Sequence, residues 1–169
     1  MPKQKNAIPD WVKASKERDK KMREKFNQDK RHLHDSLLGN GVSMVKVHFD
    51  GAGDSGQIED IVYYREDGHG NSLKFENEAE LKLIEDSEVK SLKIEKATLS
   101  SKGYHRTEKH PTLRELVEEV CYGALETHHG GWEINEGSYG EFTILPVKET
   151  ITLTFHERYV SENTSEETF

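Results

Sequence analysis

The chain has 169 residues, which suits one domain with a small appendage and leaves no room for a second catalytic domain. Residues 1–31 carry 11 Lys or Arg against five Asp or Glu, so a basic arm of net +6 precedes a body of net −14. Val, Ile, Leu and Phe number 37, of which 33 lie between residues 32 and 160, where we expect the core. With no apolar run of membrane-spanning length, no apolar signal segment and one cysteine, we expect a soluble, cytoplasmic protein without membrane contact or internal disulfides.

The basic arm is predicted to be a long helix. Pro9 and Asp10 open a segment that contains no further Gly or Pro until Gly39, almost 30 residues later. Apolar side chains are sparse in it, so we expect only its C-terminal third to dock on the body. Acidic residues interspersed among the basic ones favour a solvated helix with side-chain pairs three or four residues apart. Nucleic acid is therefore a weaker alternative partner, reached only through residues 1–31.

The next segments are predicted to be strands. Residues 44–50 alternate, with Val45, Val47 and Phe49 on one face, and a glycine-rich loop at 51–56 follows them. Further strands are predicted at 58–65, at 72–75 after a turn, and at 89–99.

A helix with a capping box begins after Thr112, because Glu115 stands three residues later. It is predicted to end at His129, before a pair of glycines. Cys121 lies in the middle of this helix, with no recognisable base nearby, and we interpret it as a packing residue. One apolar face is expected to be buried, formed by Leu113, Leu116, Val117, Val120 and Ala124.

Two or three strands are predicted at the C-terminal end, at 132–135, 141–145 and 150–159, with a hairpin turn at 146–149. Hairpin-linked strands around one helix predict an α+β fold with a mostly antiparallel sheet packed by one amphipathic helix and a long N-terminal basic helix. The predicted organisation is a basic helical arm at 1–38, an α+β domain at 39–160 and an acidic tail at 161–169.

Two loops rich in glycine and acids are the candidate sites. The first holds Asp50, Asp54 and Ser55, where backbone amides could form an anion nest and carboxylates could bind a hard cation. A bulged connection between strands is the competing interpretation. The second runs from His128 to Glu141, and its candidate surface residues are Trp132, Glu133, Asn135, Glu136 and Tyr139. The competing interpretation of Trp132 is that its side chain anchors the core. His128 and His129 are typical of a helix C-terminus, where the helix dipole favours them.

If the two loops meet, they could form a divalent-metal site. The candidate metal ligands are Asp54, His128 and Glu136. In a metal-dependent hydrolase, the site would also use Asp50, Glu133 or His129. The sequence assigns no catalytic residue and no resident cofactor. The alternative expectation is that the protein binds a divalent metal ion.

Three segments carry a resemblance: FDGAGDSGQIEDI, HHGGWEINEGSYGEFTI and ITLTFHERYVSENTSEETF. Together they resemble an uncharacterised family of short bacterial and phage proteins, a domain of unknown function, over residues 44–169. The basic arm falls outside this resemblance, and Ala52 stands where another glycine is expected. The resemblance implies no activity or cofactor, but it implies that both loops belong to the defining pattern of the domain.

The leading hypothesis is a non-catalytic protein-binding or adaptor module, because the acidic body, the basic arm and the lack of a recognised catalytic motif fit a protein partner best. In a phage or a mobile element, such a module could regulate a host or defence complex. The alternatives are a small divalent-metal-dependent hydrolase and, more weakly, a protein that contacts nucleic acid through its arm. The sequence does not indicate an oligomeric state.

Overall fold

The computed structural model describes residues 9–66, 81–92, 94 and 112–169. Helices and strands together give the α+β fold that the sequence predicts. In chain order the elements of the described ranges are α1 (Asp10–Gly39), β1 (Met44–Ala52), β2 (Ser55–Glu66), β3 (Leu81–Leu83), α2 (Asp86–Val89), α3 (Leu113–His128), β4 (Ser138–Leu145), a 3-10 turn (Pro146–Lys148) and β5 (Thr150–Glu157).

The five strands of the described ranges form one sheet in the order β3-β2-β1-β4-β5, and all neighbours are antiparallel. On the central strand β1, Val45, Val47 and Phe49 are buried, whereas His48 between them is exposed. The alternation read from the sequence is therefore confirmed, and the sheet has one covered face and one polar face.

Helix α3 lies on the covered face. Its capping box is present, since the Glu115 amide donates to the Thr112 hydroxyl at 3.2 Å and the Thr112 amide donates to the Glu115 carboxylate at 2.7 Å. Its predicted apolar face is buried, and so is Cys121 beside it, whose pKa is raised by that burial. The Tyr122 hydroxyl accepts a hydrogen bond from the Ile58 amide at 2.9 Å, which joins α3 to β2.

The second half of α1 packs against α3, so its docking begins earlier in the helix than the C-terminal third that the sequence predicts. Leu33 and Leu37 are fully buried, and the ring of Phe26 lies over Gly123 of α3. The ammonium of Lys25 bridges to Glu119 of α3 at 2.5 Å, and the hydrogen bond with Glu119 is the largest cause of its raised pKa. Nearer the N-terminus, lysines pair instead with acids of the same helix, such as Lys21 with Glu17.

Three local predictions are wrong. Residues 51–56 are not a loop, because Ala52 pairs with Ser55 and a two-residue turn at Gly53 and Asp54 joins β1 directly to β2. Residues 132–135 form turns rather than a strand, because the Ile134 amide donates to the Gly131 carbonyl. Val89 ends helix α2, so the strand predicted at 89–99 is absent over 89–92.

The other strand boundaries agree more closely with the sequence. Strand β5 ends at Glu157, two residues before the predicted end, and Glu149 turns the β4–β5 hairpin with a φ of 50°. The turn at 67–71, the strand at 72–75 and most of 93–99 lie outside the described residues. No helix within the described ranges is long and apolar enough to cross a membrane.

Candidate functional site

The two glycine-rich and acidic segments singled out in the sequence, now a tight β1–β2 turn and the residues that follow α3, lie against each other at one end of the sheet. The Gly53 amide donates to the Asn135 carbonyl at 2.7 Å, and the Asp54 amide donates to the Glu133 carbonyl at 3.1 Å. The Asn135 amide in turn donates to the Asp54 carboxylate at 3.3 Å. Residues some 80 positions apart are thus held together by three hydrogen bonds, each involving a backbone amide.

Two of the residues in these bonds, Asp54 and Asn135, have left-handed backbones although neither is glycine. Asp54 has a φ of 64° and Asn135 has a φ of 57°. Residues other than glycine are uncommon in this left-handed region of backbone conformation. Asp and Asn tolerate it best because their short polar groups bond locally. We name residues 52–55 together with residues 130–137 the tip platform. Its hydrogen bonds fix its shape, and Asp54, Ser55, Ile134, Asn135 and Glu136 are exposed on it.

Within the platform, the side chain of Trp132 points inward and the residue is only 8% exposed. Its indole covers Gly51 and Gly56, where any Cβ would overlap the ring. Phe49 meets it edge to face, with ring centroids 5.5 Å apart. Two of the three glycines in the segment that the sequence suggested as an anion nest therefore make room for a tryptophan side chain. Trp132 is placed as a core anchor rather than on the surface.

Asp50 lies on the polar face of the sheet and is held by Arg158. The guanidinium donates to both carboxylate oxygens of Asp50 and, at 2.9 Å, to the Gly51 carbonyl. The same group lies 4.8 Å above the ring of Tyr139, which stacks on His156. The hydrogen bond with Asp50 is the largest cause of the raised pKa of Arg158.

A cleft of about 220 Å³ opens beside the platform. Its lining includes Ile134 and Glu136 of the platform, and Phe155 and Arg158 from β5 and the residue that follows it. The imidazole of His129 lies parallel to the ring of Phe155, with centroids 3.8 Å apart. The cleft has apolar and charged walls, and its size suits one inserted side chain better than an extended ligand.

The carboxylates considered for a metal site point to different partners. Asp50 binds Arg158, Asp54 accepts from the Asn135 amide, and one carboxylate oxygen of Glu133 is buried without a hydrogen-bond partner among the described residues. Glu136 and His128 are exposed. Within the described part of the chain, no three His, Cys, Asp or Glu side chains form a group that could hold a metal ion.

The model of a protein family of unknown function, DUF6878, matches residues 25–169. The chain belongs to this family. Neither a search of curated proteins nor a search of solved structures gives a significant match. The matched range begins at Lys25, which contacts α3, so the docked half of α1 is part of the family pattern. The narrower range that the sequence resemblance gave, residues 44–169, is corrected in this respect.

Sequence reasoning missed His156 and Arg158, which complete the cluster around Tyr139. The hairpin turn contained the necessary signal, because pairing Leu145 with Thr150 places Tyr139 opposite His156. Alternation along β5 then places position 158 on the same face as position 156. The contact of Arg158 with Asp50 could not be found in this way, because it depends on the pairing of β1 with β4.

Proposed function

We propose that this protein is a non-catalytic protein-binding module and that the tip platform with its adjoining cleft is the binding surface. One observation carries the proposal: an exposed apolar side chain stands on a rigid, acid-bearing surface beside an open cleft. Ile134 is 50% exposed, and Asp54 and Glu136 are exposed on the same platform.

Rigidity supports this interpretation. A surface that is already ordered loses little conformational entropy when a partner binds. The hydrogen bonds between Asp54, Asn135 and their neighbours hold the platform, and the inward-pointing side chain of Trp132 anchors it. Backbones in sparsely populated conformations are common at binding sites, where the surrounding structure maintains them.

The charge of the surface indicates the chemistry of the partner. Residues 32–169 carry a net charge of −14, so this body attracts cationic segments and repels phosphate backbones. We therefore propose a basic protein segment that places an apolar side chain in the cleft. The bacterial or phage origin implied by the sequence resemblance, and a role in regulating a host or defence complex, belong to this proposal.

Site-specific photo-crosslinking in the source cell tests it. A benzoylphenylalanine at position 134 is expected to capture one recurrent protein, whereas the same probe at Glu59, on strand β2, is expected not to capture it. The captured protein is then purified, and its affinity for the full chain is measured directly by calorimetry.

The variants Ile134→Arg and Glu136→Lys should each weaken that affinity by at least about tenfold, because each adds a cation to a surface that binds a basic segment. The control, Glu59→Lys, changes net charge as much as Glu136→Lys does and should leave the affinity nearly unchanged. Equal affinity for all three variants, or capture of the same protein from position 59, would exclude the tip platform as the binding surface.

A further inference from the structure

Strand β5 forms an edge of the sheet, and among the described residues nothing pairs with its outer side. Natural edge strands are usually protected by charges, prolines or bulges, since an open edge recruits other strands. Residues 150–155 contain no charge and no proline, and their pairing with β4 shows no register shift. This edge therefore lacks the features that normally keep sheets apart.

The backbone groups on the outer side can be assigned from the hairpin. The Arg158 amide donates to the Gly137 carbonyl at 3.0 Å, one step beyond the last pair of β4 and β5. Hydrogen-bonded and non-hydrogen-bonded pairs alternate along an antiparallel ladder. The even-numbered residues of β5 thus bond to β4, and the amides and carbonyls of Ile151, Leu153 and Phe155 point outward.

We propose that β5 pairs in antiparallel fashion with β5 of a second copy, giving one continuous sheet through both chains. In the register centred on Leu153, this residue faces its own copy and Ile151 faces Phe155. Every outward amide in the pairing meets an outward carbonyl, since odd positions face odd positions. The same register places Thr152 opposite Thr154, so no like charges meet between residues 150 and 156.

Side-chain burial supports a second copy as the occupant. Ile151, Leu153 and Phe155 face the covered side of the sheet, yet each remains partly exposed. Pairing Ile151 with Phe155 of the second copy, and Leu153 with Leu153, extends this apolar row across the two-fold axis. An isologous contact of this kind closes after two subunits, which limits the assembly to a dimer.

Sedimentation equilibrium of the full chain tests the proposal, with a dimer expected. Lysines at both Thr152 and Thr154 would face each other twice across the axis, so Thr152→Lys with Thr154→Lys should give a monomer. The matched variant, Thr152→Glu with Thr154→Lys, places opposite charges across the same axis and should remain a dimer. Both side chains are exposed in the single chain, so both variants should keep the wild-type melting profile apart from the contribution of dimerisation.

Disulfide trapping tests the register. Residues 152 and 154 would form a non-hydrogen-bonded pair with Cα atoms about 4.5 Å apart, within the range that a disulfide spans. A mixture of Thr152→Cys and Thr154→Cys chains should crosslink more readily than either chain alone. A monomeric wild type, a dimer that survives both lysines, or equal crosslinking in all three samples would overturn the proposal.

Discussion

Arg158, immediately after the last strand, holds the carboxylate of Asp50 on the central strand, 108 positions earlier in the chain. The guanidinium also donates to the Gly51 carbonyl and covers the ring of Tyr139. One side chain therefore joins β1, β4 and the end of β5. Planar, two-point contacts of this kind require arginine, because lysine cannot reproduce their geometry.

A double-mutant cycle measures this contact. Arg158→Gln and Asp50→Asn should each lower the free energy of unfolding, and the double variant should lose less than the sum of the two losses, because either change removes the same interaction. Urea unfolding of the four proteins gives the coupling directly. Arg158→Lys should recover only part of the loss, and strictly additive losses would show that the ion pair does not stabilise the fold.

The packing of Trp132 on the β1–β2 hairpin predicts a strong effect of a single methyl group. Gly56→Ala should cost on the order of 1–3 kcal/mol, because the new Cβ overlaps the indole and the ring has to shift. Ser55→Ala, at the neighbouring exposed position, is the control and should stay within about 0.5 kcal/mol of the wild type. Thermal and urea unfolding measure both, and equal stability of the two variants would contradict the packing.

The left-handed backbone of Asp54 predicts that the free energy of unfolding depends more on which residue replaces Asp54 than on the loss of its carboxylate. Asp54→Ala should cost about 1–2 kcal/mol, since alanine is disfavoured at positive φ. Asp54→Gly should cost less, although it removes the same hydrogen bond with the Asn135 amide. Glu136→Ala should leave stability nearly unchanged. If glycine proved as destabilising as alanine or more so, the left-handed backbone would not be the source of the loss.

His34 predicts a stability change with pH. Its ring is buried, neither nitrogen has a hydrogen-bond partner among the described residues, and its pKa is lowered mainly by burial and further by Lys30, with Glu149 and Asp35 opposing. The unfolded chain therefore binds the proton more readily than the folded one. The contribution of neutral His34 is complete above pH 6.5, the ordinary histidine pKa, and is lost as pH falls through the lowered value.

Urea unfolding at a series of pH values from neutral to mildly acidic tests this. The wild type should lose stability over this interval, and His34→Leu should lose less, because leucine of similar volume takes no proton. Parallel curves for wild type and His34→Leu would show that His34 is not the responsible group.

Much of this fold follows from local patterns in the chain. The absence of Gly and Pro between positions 10 and 38 determined α1, the Thr112 and Glu115 pair located the start of α3, and strict alternation determined β1. These signals suffice because helices and strands depend on neighbours a few positions away. Glycine is ambiguous as a signal, because it occurs both in turns and where two elements pack closely. For this reason the sequence predicts a loop at residues 51–56, where β1 and β2 in fact continue.

Only the tertiary structure decided what the candidate residues contact. Nothing near Gly56 in sequence indicates that Trp132 will cover it, and nothing near Asp50 indicates Arg158. Both contacts depend on which strands become neighbours in the order β3-β2-β1-β4-β5, whose central strands share one buried core with α1 and α3. The sequence determined which side chains could form a site, and long-range packing determined that Asp54 and Asn135 meet, while in the part of the chain that the structure describes no three metal-binding side chains gather.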